Sequence, residues 1–437
     1  MTATILSGGP VLTGNREGKV FARGAVAFEG ERIVAVGAET AIFPAYPEAR
    51  RLEAKGGLIV PGLINLHHHF YSAFARGLSP GVPTRDFEEV LRGLWWRLDR
   101  ALDADAVRVS AALALADCVR WGCTTVLDHH SSPACVPGSL DLIAGEVRKA
   151  GISAVLCYEV TDRNGEAEAL AGLEENVRFL LDGASDARVH GMVGLHAAFT
   201  LTDRTLAKVA SRIPRGVGVH VHAAEGARDA GPLERLDRFG LLGHDSLLVH
   251  GVHLTPSELG RVAERGATLV HCPESNAHNG VGRLDLLTAS EAGCRLGLGT
   301  DGISSNVLRS LRAAFLGHRD ARRDPSSGFD VVPGLLGGNA EFAGRAFAEP
   351  LLGQLVPGAP ADIAVFDAPS PTPVETENGF GHLVYAASEA PVRHTIARGR
   401  LLVKDFELLS IDLESVAAEA RRLSPGVWSR FRAIPAQ

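Results

Sequence analysis

Two hydrophobic rhythms divide the chain. Up to about Gly57, short apolar runs such as Val20-Phe21-Ala22, Ala25–Phe28 and Ile33–Gly37 alternate with turn residues such as Gly30-Glu31. That pattern reads as small antiparallel sheet. From Leu58 onward, short apolar strands alternate with longer stretches of helical periodicity, the mark of β–α units. Eight strands are predicted: Leu58–His69, Thr124–His130, Ser153–Val160, Arg188–Phe199, Val217–Glu225, Ser246–Leu254, Ala267–Glu274 and Arg295–Gly302. Helices are predicted between them, for example Ala104–Trp121, Ser139–Ala150 and Leu284–Ala292.

Beyond about Gly353 the sheet rhythm returns in Ala361–Asp367 and Thr395–Val403, and a helical tail spans Leu413–Leu423. The prediction is an α/β fold: a (β/α)8 TIM-like barrel over residues 58–352. A small β-sandwich is built from both ends, residues 1–57 and 353–437. A doubly wound sheet would place a Gly-rich nucleotide turn after its first strand, and none is present. The long connection Phe70–Leu102 is the candidate lid.

Composition narrows the partners. The 437 residues carry 44 Lys and Arg against 51 Asp and Glu, a net charge of −7, with no basic run of five. This disfavours nucleic acid and anionic membranes as partners. No stretch of eighteen uninterrupted apolar residues occurs, and the first residues lack the basic start and apolar run of a signal peptide, so a cytoplasmic protein is expected. The six cysteines form no Cys-x-x-Cys pair and read as small core residues.

The chemistry gathers at the predicted strand ends, where a barrel of this type carries its active site. His67 and His69 sit two apart on the first strand and face the same way, as two imidazoles on one metal would require. His222 ends the fifth strand and supplies a third imidazole. His220 shares its parity but lies one layer deeper. Asp301 ends the eighth strand and completes a ligand set of His67, His69, His222 and Asp301 for one divalent metal ion. Glu225 lies one loop step beyond His222, placed to carry a proton. The sixth strand offers His250 and His253, and His253 is expected to reach the site because it lies nearer the strand's C-terminal end. His196, at the end of the fourth strand, is the candidate substrate-binding residue, with Trp95, Trp96 and Arg163 in loops that could hold a planar ring.

Together these stretches resemble the amidohydrolase superfamily over almost the whole chain, in particular its cytosine/guanine deaminase and chlorohydrolase branch. The motifs are Pro61–His69, His222–Glu225, His250–Leu254, His271–Asn276 and Gly299–Asp301, with the C-terminal Gly353–Asp362. More narrowly, His67–Ser72, Leu94–Asp103, Asp128–Pro133 and Thr161–Asn164 look like SsnA-type aminohydrolases, and the histidine triplet is similar to that of 8-oxoguanine deaminases. The resemblance implies one zinc, or iron in some relatives, with Glu225, His253 and Asp301 catalytic, and a homodimer. Binuclear relatives use a carboxylated lysine on the fourth strand, and no lysine lies between Lys149 and Lys208. The loop Ser275–Gly282 departs from the leucine-containing loop of many deaminases.

The expected reaction is hydrolytic deamination of an amino-substituted nitrogen heterocycle of purine, pterin, pyrimidine or triazine type. Asp301 takes the proton that water loses, His253 orients the resulting hydroxide, and Glu225 passes a proton to the ring nitrogen. The same residues suit opening of a cyclic amide. A metal-binding scaffold without catalysis is the remaining alternative, and the presence of Glu225, His253 and Asp301 together argues against it.

Overall fold

The computed structural model describes residues 2–15, 17–182, 187–214, 216–229 and 231–436. Eight parallel strands form the barrel: Leu63–His68, Cys123–His130, Ser153–Val160, Val193–Ala197, Val219–Ala223, Leu247–His250, Thr268–His271 and Arg295–Leu298. Except for Arg295, every residue of these strands is buried. Helices cover the outer faces and side chains fill the interior, so both faces of each strand are packed, which is why the strands read as near-continuous apolar runs. The ring closes where Asn65 Nδ2 donates to Thr300 Oγ1 at 2.7 Å and Thr300 N and Asp301 N donate to His67 O at 3.1 and 3.0 Å.

Asn339 reinforces that seam from a helix. Its Nδ2 donates to Ile64 O at 2.6 Å and Leu298 O at 2.9 Å, and its Oδ1 accepts from Leu298 N at 2.7 Å. The helix, Gly334–Ala346, can lie this close because Gly338 has no side chain: a Cβ there would stand 1.8 Å from Leu296 O. Phe342 and Phe347 pack with Leu66, Leu127, Val249 and Val270 in one apolar cluster, leaving the polar side chains for the opposite, C-terminal mouth.

Local signals set the helix limits. Thr255 and Glu258 form a capping box with Pro256 in the first turn, and Gly266 (φ +67°) ends that helix, Pro256–Arg265. Asp103 accepts from Ala106 N at 3.0 Å and starts Ala104–Arg120.

Both chain ends contribute to a second sheet of nine strands. The strand Leu58–Pro61, expected to open the barrel, belongs here instead. It pairs antiparallel with Ile363–Phe366 and parallel with Thr4–Leu12. The chain crosses into the barrel at Gly62, so the expected boundary after residue 57 falls before this strand rather than after it. The sheet is one continuous ladder that rolls over a shared core of Leu6, Val26, Phe28, Ile33, Ile363 and Ile396. Hydrogen bonds from Ile33 N to Ala359 O (2.9 Å) and Gly358 N to Ile33 O (2.8 Å) tie its far edge back to the returning chain.

The last helix, Leu413–Ala433, runs beyond the expected Leu423 and packs on Ala104–Arg120. It also fastens the long loop after the first barrel strand: Trp428 Nε1 donates to Phe74 O at 3.0 Å, and Arg97 Nη2 to Phe431 O at 3.2 Å. No described helix is long and apolar enough to cross a membrane.

Candidate metal centre

Each histidine at the barrel mouth is aimed through one ring nitrogen. His69 Nδ1 lies 2.5 Å from His129 O and His222 Nδ1 lies 2.7 Å from His196 O. A carbonyl only accepts, so both Nδ1 atoms carry the proton and both Nε2 atoms are lone pairs. Yet the two Nε2 atoms stand 3.3 Å apart, and Asp301 Oδ1 is 3.2 Å from His69 Nε2. His67 Nδ1 meets His220 Nε2 at 2.8 Å, and its own Nε2 is buried without a hydrogen-bond partner, 3.7 Å from Asp301 Oδ1. Two nitrogen lone pairs, the unpartnered Nε2 of His67 and a carboxylate therefore converge on one point, an arrangement that repels itself unless a cation lies between them. His67, His69, His222 and Asp301 thus fit a divalent metal by donor type and by the direction of their free electron pairs.

Electrostatics agree with that fit. Burial pushes His67, His69 and His222 below their ordinary range, so they are neutral, as ligands must be. Ser275 Oγ donates to Asp301 Oδ2 at 2.6 Å, and Gly302 N donates to Oδ1 at 2.6 Å.

Glu225 joins the cluster although it lies outside any strand. Its strand stops at Ala223, and Ala224 (φ +50°) turns the chain back toward the mouth. Its Oε2 is 3.3 Å from His250 Nε2, and its Oε1 accepts from Asn279 Nδ2 at 3.1 Å. Burial pushes its carboxyl up to about 7, opposed by His250.

The sixth strand corrects the sequence reading. His253 is exposed, past a turn, and its backbone N–H donates to Ala224 O at 2.9 Å. His250 occupies the place expected of it. His250 is the last residue of its strand, with φ +76°, and its Nδ1 meets Asn276 Oδ1 at 2.8 Å. Its Nε2, fully buried, faces Glu225 and lies 3.8 Å from Asp301 Oδ2. Ala224, His250 and Asp301 (φ +55°) are all non-glycine residues in left-handed conformations, strain of the kind that concentrates at functional sites.

Among the residues of the site not singled out from sequence are Ser275 and Asn279. They stand four apart along Pro273–His278 and its C-cap, on one face toward Asp301 and Glu225. The i, i+4 spacing was the only signal.

The amidohydrolase family pattern matches residues 58–402. The chain belongs to the amidohydrolase family. It is 33% identical over 405 residues to a 5-methylthioadenosine/S-adenosylhomocysteine deaminase of Natronomonas pharaonis, covering 87% of this chain and 89% of that protein. A protein of the same name from Pelotomaculum thermopropionicum is 28% identical over 441 residues, covering 97% and 98%. Among solved structures, an adenosine deaminase from Xanthomonas campestris with bound zinc superposes with a TM-score of 0.84 at 24% identity, covering 99% of both chains. The zinc complex of an atrazine chlorohydrolase from Arthrobacter aurescens gives 0.79 at 22% identity, covering 97% of this chain and all of that one. At these identities the structural matches establish the fold.

In this amidohydrolase the cavity beside the candidate metal ligands is walled by aromatic side chains, Tyr71, Phe87, Trp95, Trp96 and Phe199, with His196 among them. His196 Nδ1 donates to Thr200 Oγ1 at 2.7 Å, and that hydroxyl is itself spent on Ala197 O at 3.0 Å, which leaves His196 Nε2 as an acceptor. The buried Arg163 guanidinium covers the Trp96 ring at 5.3 Å. It pairs with Asp99 and, at 2.9 Å, with Glu159. Arg163 and Trp96 were both anticipated as ring-holding residues, and both line the cavity, as does Trp95.

Proposed function

We propose that this amidohydrolase removes ammonia hydrolytically from an amino-substituted nitrogen heterocycle. The observation that carries this reading is the convergence of three imidazole nitrogens and Asp301 on one point, with the Glu225–His250 pair 3.3 Å apart beside it. The deaminase names of the curated relatives support the same bond and leaving group.

When bound, the cation supplies Lewis acidity, which lowers the pKa of water toward about 7. Asp301, fixed by Ser275 and the backbone of Gly302, stays ionised and takes a proton from the attacking water. His250, held by Asn276, orients that water through Nε2. Glu225 gives its proton to the ring nitrogen next to the attacked carbon, recovers one from the new hydroxyl and passes it to the amine as the C–N bond breaks. The proton on Asp301 then returns Glu225 to its protonated form. Burial and Asn279 keep its carboxyl where it can both give and take a proton near neutral pH. The aromatic walls hold the ring flat, and His196 accepts a hydrogen bond from it.

The test is metal analysis of the purified protein with an ammonia-release screen of aminopurines, pterins, aminopyrimidines and aminotriazines. About one zinc or iron per chain, with ammonia from at least one heterocycle, is expected. Metal without ammonia from any of them overturns the deaminase reading. Failure to bind metal after reconstitution overturns the site itself.

A further inference from the structure

The proposed chemistry uses Glu225, and a second carboxylate in the cavity is left without a task. Glu159 lies on the third barrel strand, which faces the seventh across an eight-stranded ring, so it stands opposite the Ser275–Asn279 side. It is only 3% exposed. Its Oε1 accepts from Arg163 Nη2 at 2.9 Å, whereas Oε2 accepts no hydrogen bond from any described residue. The imidazole nearby cannot supply one. His129 Nε2 lies 3.1 Å from the carbonyls of both Leu195 and His220 and so carries the ring proton, leaving Nδ1 as a lone pair 3.7 Å from Oε2.

An acceptor left unpaired when a ligand closes over it costs about 1–3 kcal/mol. This one lies at the metal cluster: ligand atoms of Glu159, His129 and His222 fall within 4.8 Å of one another. The neighbouring Trp96, stacked under Arg163, offers a flat wall.

We propose that Glu159, oriented by Arg163, sets substrate specificity by accepting a hydrogen bond from a ring N–H of the heterocycle. The substrate class is then an unalkylated free base, in contrast to the nucleosides for which the curated relatives are named. This rests on the deaminase reading and narrows it. A ring nitrogen bearing a sugar or methyl group has no proton to donate and would leave Oε2 unpaired, and sites built around such a bond reject the analogue that lacks it by large factors.

The experiment compares adenine, guanine and cytosine with their ribosides and ring N-methyl forms, measuring kcat and KM for ammonia release. The wild-type protein is expected to favour one free base over its alkylated partners by at least about 100-fold in kcat/KM. In Glu159→Gln the amide oxygen is drawn to Arg163, so an NH2 donor replaces the acceptor. KM for the free base should rise about 100-fold with metal content unchanged, while the alkylated forms keep their low rates. Glu159→Asp, which keeps the charge but withdraws it, should raise the same KM by a smaller factor. Calorimetry of the free base binding to Glu225→Gln, with and without Glu159→Gln, should show the same loss without turnover. Equal use of base and riboside, or an equal loss on both in the Glu159 variants, overturns the proposal while leaving the deaminase reading intact. Ammonia from none of these bases, nor from the pterins and triazines of the wider screen, overturns the deaminase reading and this proposal with it.

Discussion

A single torsion decides which histidine serves the site. His250 ends its strand in a left-handed turn, so its ring stays at the mouth while His253 is carried to the surface. Position along the strand favoured His253, because nothing in the local pattern announces a positive φ at a non-glycine residue. Gly251 beside it was the only hint. Replacing His250 with Ala should lower kcat by about 10²–10⁴ with the metal retained, whereas His253→Ala should stay within about twofold of wild type. Steady-state rates with metal analysis of both proteins check this. Glu225→Gln should bind metal normally and lose about 10²–10⁴ in kcat, and full activity in that variant would contradict the proton-carrying role. The ligand candidates His67, His69, His222 and Asp301 were legible because each lies at or just past a strand end with the right parity. Ser275 and Asn279 were not, because a single helical turn gives too short a pattern to single out one face.

Elements were legible where periodicity was local and obscure where pairing was distant. All eight barrel strands lie within or beside their predicted positions. Leu58–Pro61 was assigned to the barrel because it runs on in sequence into the next strand, while its true partners, Ile363–Phe366 and Thr4–Leu12, lie far away along the chain. The last helix was ended early at Ser424-Pro425-Gly426, which reads as a stop. It continues because Val427 and Phe431, beyond the proline, are buried in the cluster that includes Leu98, Leu102 and Val107. Tertiary burial there outweighs local propensity. Among these elements the helix carrying Asn339 bears a specific load, since one side chain joins the first and eighth strands. Asn339→Ala leaves Ile64 O, Leu298 N and Leu298 O without partners at a buried position. It should cost about 3 kcal/mol of stability, seen as a lower midpoint in urea unfolding.

At the scale of the whole molecule, barrel and terminal sheet meet through buried polar groups whose protonation affects stability. Asp362 O accepts from Gly62 N at 2.8 Å, where the chain leaves the sheet for the barrel, and its side chain accepts from Arg398 N at 2.6 Å while Oδ2 has no partner. Burial pushes its carboxyl up from 3.8 to about 6, with Arg398 opposing. The folded protein thus holds a proton that the unfolded chain releases near pH 4. The stabilisation is complete below about pH 4 and is lost as the pH rises through about 6, an effect on the order of 3 kcal/mol. Asp362→Asn should remove this component, so its melting temperature relative to wild type should climb between pH 4 and 6.5 and level off above. Thermal melts across that range measure it.

The rolled sheet also governs the order in which the molecule can be assembled. Leu58–Pro61 sits between a strand made before the barrel and one that emerges only after the entire barrel has been made. Until that later strand arrives, one edge of the early strands has no hydrogen-bonding neighbour, and the apolar side chains of Leu6, Val26 and Ile33 lack half their cover. Closure between such distant segments is slow, and unpaired strand edges attract other chains while they wait. Biogenesis of this amidohydrolase should therefore depend on chaperones that shield the nascent N-terminal strands, and slower translation through the barrel should lengthen the interval in which those strands can aggregate.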